Sequence, residues 1–411
     1  MKIQAPRGTY DVLPDQAVER ARLERTAAQI LERAGYGRIE TPTFEATQLF
    51  SRTVGEATDV VQKEMYTFPD GSGESMTLRP EGTAPVVRAY LEHGMHKLPQ
   101  PVKLWYLSNY FRYERPQAGR FRQFWQIGVE AIGSADPAVD AEVILLLAEL
   151  LEAIGARDVK LVLATLGQPE SRAAYREELK AYLRAHEDQL SPDVVSRIDL
   201  NPLRAFDAKH ESTQRVMANA PRLIDRLPAE DLEHFAEVQD LLRAAGLSYE
   251  VDTTLVRGLD YYTRTLFEFQ SGALEAAQNT LGGGGRYDGL AEAIGGPPTP
   301  GMGWAAGVER MLMASTQPAP APPPVDLYVA YEPGHKAAAF KLAADARRAG
   351  HNARLELAGR SLKGQLKQAS RSGARYVAIF RDDGVQLRDR EGGEDKVVEP
   401  DSVMHHIRGQ I

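Results

Sequence analysis

KLWYLSNYFRYERPQAGRFRQFWQIGVEAIG, residues 103–133, decides how the chain must be laid out. Two patterned runs, KLWYLSNYFRYE (103–114) and FRQFWQIGVEAIG (121–133), flank the turn-rich link RPQAGR. Side chains of a strand alternate between the two faces of a sheet. The pattern therefore predicts two long antiparallel strands over residues 100–133, with two unlike faces. Trp105, Leu107, Phe111 and Tyr113 share one face with Phe121, Trp125, Ile127 and Val129, an ordinary core face. The opposite face carries Arg112, Glu114, Arg122, Phe124, Gln126 and Glu130. Such a face commonly meets water. Phe124 gains nothing from water, however, and the mixture suits a nucleotide: guanidinium groups pair with phosphate and an aromatic ring stacks on a base.

Other clusters raise similar questions. TLRPEGTAP (77–85) sets Glu81 between Pro80 and Gly82, on a turn that could simply be surface. LVRGLDYYTRTLFEF (255–269) reads as a strand at its ends, Leu255 and Val256, then Leu266, Phe267 and Phe269. Its middle crowds Arg257, Asp260, Tyr261, Tyr262 and Arg264 around Gly258. LGGGGRYDGL (281–290) either lets backbone approach a ligand or makes a hinge. It is neither a Walker loop nor a dinucleotide fingerprint, because no G-K-[ST] follows and no helix is predicted to start there. GMGWAAGVERML (301–312) runs small residues into a helix carrying Glu309 and Arg310. His93 and His96 have no third ligand nearby, which favours a loop or surface role over a metal site.

A chain of 411 residues exceeds one small core and predicts two or three domains. Hydrophobic residues at 43% and charged ones at 26% give an ordinary globular balance. The absence of cysteine excludes disulfides, thiolate nucleophiles and Cys-based zinc sites, and fits a reducing cytoplasm. MKIQAPRGTYDVLPDQ lacks the apolar region of a signal peptide. VILLLAELLEAIG is interrupted by Glu149 and Glu152 and reads as a buried helix, since a span needs about 20 apolar residues. The net charge of −8 argues mildly against nonspecific nucleic-acid binding.

STQPAPAPPP (315–324) reads as an interdomain linker. Beyond it, DLYVAY, NARLEL and ARYVAIF read as strands, with HKAAAFKLAADARRAG and SLKGQLKQASRSG as helices between them, the order of a small α/β domain. Residues 325–411 carry 15 Lys/Arg and 12 Asp/Glu, and residues 336–375 hold ten basic side chains against two acidic. A solvated helical surface and a phosphate-facing surface both fit that excess. Upstream, Leu23, Ala27, Ile30, Leu31 and Ala34 predict a helix over 15–34. Residues 168–245 read as an inserted helical subdomain, with Tyr175, Leu179 and Tyr182 on one stripe.

Together these segments closely resemble the histidyl-tRNA synthetase family of class II aminoacyl-tRNA synthetases, over essentially the whole chain. IETPTFE (39–45), residues 111–130 and GMGWAAGVERML resemble the three class II motifs. LVRGLDYYTRTLFEF and GGGGRYDGL resemble the two signatures peculiar to the histidine enzymes, and TLRPEGT is typical of them. Trp125, Leu266 and Gly283 depart from the family's usual His, Val and Ala. The resemblance implies an α+β catalytic domain with an antiparallel sheet over 1–320, the helical insertion at about 168–245, and an α/β anticodon-binding domain over 325–411.

It further implies a histidine–tRNA ligase that uses ATP, with Mg2+ on its outer phosphates, and acts as a cytoplasmic homodimer. Arg112 and Arg257 would grip the α-phosphate from opposite sides, Arg257 standing where related enzymes can use a metal. Phe124 and Arg310 would hold the adenine, and Glu114 its amino group or a metal. Glu81, Thr83 and Gln126 would meet the α-amino group of histidine, Glu130 and Tyr262 its ring, with Tyr261 and Tyr287 lining the pocket. Arg115 and Arg120 would meet the tRNA acceptor end. A rival is the family's non-catalytic relative, the histidine-sensing regulatory subunit of ATP phosphoribosyltransferase. Such relatives typically lack the terminal domain and the ATP-side arginines, all present here. A pure RNA-binding protein would leave Glu81, Glu130 and the tyrosine pair without a task.

Overall fold

The computed structural model describes residues 3–55, 58–256, 258–275, 278–318, 324–392 and 394–408. Arg257 lies outside the described residues. The chain divides into two compact units, Met1–Pro318 and Ala319–Ile411. No helix among the described residues is long and apolar enough to cross a membrane.

The first unit opens with α1 (Pro14–Arg33), whose buried stripe is Leu23, Ala27 and Leu31. Proline in its first turn lacks the N–H that would be unsatisfied there anyway. Next come β1 (Gly37–Arg38), β2 (Phe44–Ala46), α2 (Thr47–Thr53), β3 (Tyr66–Pro69), β4 (Ser75–Leu78) and α3 (Thr83–Glu92). The long strands follow as β5 (Val102–Phe111) and β6 (Gln123–Ile132), paired antiparallel from Val102↔Ile132 to Phe111↔Gln123. The chain continues through α4 (Pro137–Ala153), β7 (Val159–Thr165), α5 (Pro169–Ala185), α6 (Pro192–Val195), α7 (Glu211–Ala218), α8 (Ala229–Ala244) and β8 (Glu250–Val251). It ends with β9 (Thr263–Ser271), β10 (Thr280–Arg286), α9 (Leu290–Ala293), β11 (Gly301–Gly307) and α10 (Val308–Ala314).

Eight strands form one sheet in the order β1-β5-β6-β11-β10-β9-β7-β8, antiparallel from β5 through β7. Trp105, Val129, Phe267 and Trp304 send one sheet face into a core with Leu31, Leu147, Leu242 and Met311 from α1, α4, α8 and α10. The other face is not solvent. Tyr106, Tyr110 and Ile132 pack there with Val86 and Tyr90 of α3, and Glu130 is 0% exposed. From Ile127 to Ile132 both faces of β6 are buried, whereas Gln123–Gln126 are half-buried.

Alternation fails just beyond the strand ends. Tyr113, assigned to the core face, is 55% exposed, because β5 stops at Phe111. Phe121, also assigned there, precedes the first residue of β6 and rests instead on Tyr10, ring centroids 4.6 Å apart. The stretch expected to be strand-like from 255 becomes strand only at Thr263. Arg264 takes φ 42°, and the pairing jumps from Gly285↔Leu266 to Arg286↔Thr263, a bulge that kinks the strand beside the cavity described below.

The glycine run is neither hinge nor loop but strand β10. A Cβ on Gly284 would stand 1.9 Å from Gly303 O of the neighbouring strand, so the sheet closes there only without a side chain. The helical segment expected over 168–245 divides. Tyr175, Leu179 and Leu183 join residues up to Leu227 in a separate core, whereas Phe235, Val238 and Leu242 of α8 pack in the main core.

The second unit comprises β12 (Leu327–Tyr331), α11 (Lys336–Arg348), β13 (Ala353–Leu355), α12 (Leu362–Arg371), β14 (Tyr376–Arg381), β15 (Gly384–Asp389), β16 (Lys396–Val398) and α13 (Val403–Arg408). The sheet order is β13-β12-β14-β15-β16, parallel for the first three and antiparallel thereafter. Alternate residues of β12 feed two cores: Leu327 and Val329 face α11 and α13, Tyr328 and Ala330 face α12. Helices on both sides explain why the central strands β12 and β14 are apolar from Leu327 to Tyr331 and from Tyr376 to Phe380.

Candidate active site

A cavity of about 360 Å³ lies on the α3 side of the large sheet. Its walls come from six places in the sequence: Val60, the turn into α3, the β5–β6 loop with the start of β6, residues 258–262, β10 with Tyr287, and β11 with the start of α10. One end is built of acids and phenols, the other of cations and aromatic rings.

At the first end Glu81 is buried and bends over the start of α3. Its carboxylate accepts from the amides of Thr83 (2.7 Å) and Ala84 (3.0 Å). Burial raises its pKa, against those two amides and Arg112. Glu130 lies deeper. Its Oε1 accepts from Thr83 Oγ1 (2.8 Å) and Tyr106 Oη (3.1 Å), and its Oε2 from Tyr287 Oη (2.5 Å). Burial pushes this carboxyl up to about 8, with the charge of Glu81 adding to the shift and the hydroxyl donors opposing it. Tyr261 stacks obliquely on Tyr262 at 4.7 Å and meets Tyr287 edge-on at 6.0 Å. Gln126 Oε1 is buried with no hydrogen-bond partner among the described residues, an acceptor waiting for a donor.

At the other end Arg112 is held by Pro80 O (2.9 Å from Nε), and its guanidinium lies 5.4 Å from the centre of the Phe124 ring. Arg310 donates to Gly119 O (3.0 Å) and Thr280 O (2.9 Å). Glu114 and Arg120 form an ion pair at 2.7 Å. No group of three His, Cys, Asp or Glu side chains among the described residues could hold a metal ion.

Behind the acid end runs a buried ionic network. Asp140, 0% exposed, accepts from His234 Nε2 (2.9 Å) and Thr265 Oγ1 (2.5 Å) and pairs with Arg286. Burial alone would raise the Asp140 pKa, but the His234 hydrogen bond and the Arg286 charge hold it below the usual range. Arg264, turned by its bulge, donates to Asp231 (3.2 Å) and Glu230 (2.6 Å). The charge density of the TRT and GRYDG stretches is thus spent largely on fixing strand ends. Arg286 directly precedes Tyr287.

The structure brings most of the sequence-predicted residues together. Glu81, Thr83, Gln126, Tyr261, Tyr262 and Tyr287 line one end, and Arg112, Glu114, Phe124, Arg120 and Arg310 the other. Glu130 stands just behind the wall, bonded to Thr83 and Tyr287. Arg115 is exposed and does not line the cavity. Sequence reasoning missed Tyr106, although its even position on β5 puts it on the face of Glu130. It also missed Glu309, which lines the cavity and accepts from the Trp125 amide (3.2 Å to each oxygen). Asp140 and His234 gave no local signal, because they lie 94 residues from each other and Asp140 lies 146 from Arg286.

A family model described as histidyl-tRNA synthetase matches residues 8–311. The histidine–tRNA ligase of Thermosynechococcus vestitus is 48% identical over 405 residues, 97% of this chain and 94% of that protein. That of Rubrobacter xylanophilus is 44% identical over 425 residues, covering 100% of both. Among solved structures, the apo histidyl-tRNA synthetase of S. aureus superposes with a TM-score of 0.81 at 35% identity, over 99% of this chain and 100% of that one. An ATP phosphoribosyltransferase regulatory subunit/histidyl-tRNA synthetase from Bacillus halodurans shares the fold, with a TM-score of 0.67 at 22% identity over 93% and 99%. Sequence identity and coverage of that order, on an antiparallel sheet carrying one cavity walled by acids, phenols and arginines, place the chain in the histidyl-tRNA synthetase family.

Proposed function

We propose that the cavity binds L-histidine at its acid and phenol end and ATP at its arginine end, and that the reaction joins them. The activity is that of a histidine–tRNA ligase, as in the full-length relatives. The histidine carboxylate attacks the α-phosphorus of ATP and pyrophosphate leaves. The terminal adenosine hydroxyl of the tRNA then attacks the acyl carbon of histidyl-adenylate and releases AMP. Negative charge grows on the α-phosphate oxygens in the first step, so a fixed cation there lowers the barrier. Arg112 supplies one. Arg257 supplies the second from the opposite flank, a reading that rests on the resemblance. Guanidinium suits both places because it stays charged and offers a rigid fork of donors.

Phe124 and Arg310 hold the adenine, with Glu114 at its amino group. Mg2+ would come with the nucleotide and would supply charge neutralisation at its outer phosphates. Glu81, Thr83 and Gln126 receive the α-ammonium, and the bare Gln126 Oε1 supports this. The imidazole lies toward Glu130, Tyr262, Tyr261 and Tyr287. An amino acid without a ring N–H would leave those groups unpaired, which penalises it more than a missing methylene would. Arg115 and Arg120 meet the acceptor end of the tRNA. The basic helices α11 and α12 meet its anticodon end, with Lys363 and Lys367 exposed on α12. A homodimer is consistent with the exposed pair Phe44 and Phe68 on the small β2-β4-β3 sheet.

The observation that carries the reading is the pairing of opposites in one cavity, a buried acid–phenol cluster facing an arginine–aromatic cluster. The regulatory-subunit alternative has no use for the second cluster. Histidine-dependent ATP–pyrophosphate exchange tests it: exchange with histidine and not with other amino acids is expected, and its absence would refute the assignment.

A further inference from the structure

The N-terminal segment crosses the loop that joins β5 to β6. Gly8 O accepts from the Arg122 amide at 2.8 Å. Gly8 has φ 87°, and a Cβ there would stand 2.8 Å from both Arg122 Cγ and Pro116 Cγ. Glycine alone passes so closely in that conformation without strain. Two residues on, the Tyr10 ring rests on Phe121, and the Tyr10 hydroxyl donates to Glu309 Oε1 at 2.6 Å. Arg20 braces the pair from α1, donating to the same Glu309 oxygen at 2.9 Å and lying over the Tyr10 ring. Phe121 and Glu309 line the cavity, whereas Gly8, Tyr10 and Arg20 do not.

We infer that Tyr10, seated by Gly8, is a positioning residue: it clasps the β5–β6 loop in the conformation that receives ATP. The inference rests on reading the arginine end as the ATP site. A loop of this length between two strand ends is free to fray, and ordering it costs entropy. Two further tethers are the Tyr113 amide bond to Glu64 O (2.7 Å) near the start of the loop and the Arg310 bond to Gly119 O, the latter made by a residue that must also meet the nucleotide. Tyr10 fixes the loop from outside the cavity, so its hold does not compete with the ligand. If the clasp opens, only a fraction of molecules present the loop residues Glu114, Arg120 and Phe121 to the cavity correctly, and apparent affinity falls by that fraction. The histidine end is built on the start of α3, on β6, on Tyr261 and Tyr262 and on Tyr287, and the hydrogen bonds that fix its two acids do not pass through the clasp.

Two measurements on the full chain test this. In pyrophosphate exchange, Tyr10→Ala raises KM for ATP about tenfold and leaves KM for histidine within about twofold, with Tyr10→Phe between wild type and Tyr10→Ala. A protein that is merely less stable loses active molecules, which lowers kcat and moves neither KM. Under native conditions, trypsin cleaves after Arg120 and Arg122 about tenfold faster in Tyr10→Ala than in wild type. Gly8→Ala gives the same pattern and serves if Tyr10→Ala does not fold. Unchanged KM for ATP together with unchanged cleavage overturns the inference. Wild-type protein without exchange refutes the proposed function instead, and the cleavage rates alone then decide whether the clasp exists.

Discussion

Glu130→Gln separates what the buried acid costs the fold from what it does for histidine. The group is 0% exposed, and burial pushes its pKa from 4.5 up to about 8. A raised acid contributes stability that is fully present below about pH 4.5 and is lost as pH rises through about 8, because the unfolded chain ionises first. Each pH unit in that window costs up to about 1.4 kcal/mol, so wild type has lost about 3 kcal/mol to this one group by about pH 7. Glutamine has the same shape and no charge. Its oxygen can accept from Thr83 and Tyr106 as Oε1 does, and its amide can donate to Tyr287 Oη in place of Oε2.

The variant is therefore expected to unfold at higher urea near pH 7 than wild type, by about 3 kcal/mol, with the gap narrowing to about 0.8 kcal/mol near pH 5. Exchange should move the other way, with kcat/KM for histidine falling about a hundredfold, the worth of one charge-assisted hydrogen bond. Urea titrations of both proteins at several pH values between 5 and 8 decide the first point. A variant destabilised equally at every pH would mean that Glu130 is ionised and paired in the native protein, and the reasoning from burial would fail. The expected outcome is a site that holds its acid against the preference of the fold.

Asp140→Asn should cost about 3–5 kcal/mol in a denaturant titration, because it removes the fully buried carboxylate paired with Arg286 and leaves that cation only the Asp288 carboxylate, at 3.2 Å, as counter-charge. The Asp140 pKa is depressed, so its contribution is present above the usual aspartate range and lost as pH falls; the variant should accordingly show a smaller stability loss on acidification, and equal losses would remove Asp140 from the network. Arg257→Ala should slow exchange about 10²–10³-fold while histidine binding, read by equilibrium dialysis, stays near wild type. Parallel losses would place Arg257 in the amino-acid pocket. A chain ending at Pro318 should keep histidine-dependent exchange and lose most tRNA charging, since the basic helices belong to the removed unit. Undiminished charging would strip α11 and α12 of their proposed role.

What the sequence could say depended on the range of the force involved. Period-two alternation is local, and it found β5, β6 and the two faces of the pair wherever the ladder continues. It failed at Tyr113 and Phe121, each two residues beyond the last paired position, where the ladder no longer holds a side chain to a face. Helical spacing found α1 and α11 for the same reason. The glycine run was ambiguous because its cause is remote: Gly284 is small on account of Gly303 O, a backbone atom of the next strand. The acids told a similar story. Glu81 looked like a surface turn because its burial is supplied by Tyr106 and Tyr110, whose approach to Gly82 no local pattern records. Arg264 and Arg286 were visible as charge but not as structure, since Asp231 and Asp140 reach them from helices elsewhere in the chain. Resemblance closed that gap for residues proposed to touch ligand and left it open for residues that hold those in place. Tyr10, Asp140 and Glu309 are of the second kind. Tyr10 and Asp140 stand outside the cavity, and a mutation at either tests the architecture of the site while leaving its ligand-facing side chains in place; Glu309 also lines the cavity and does both.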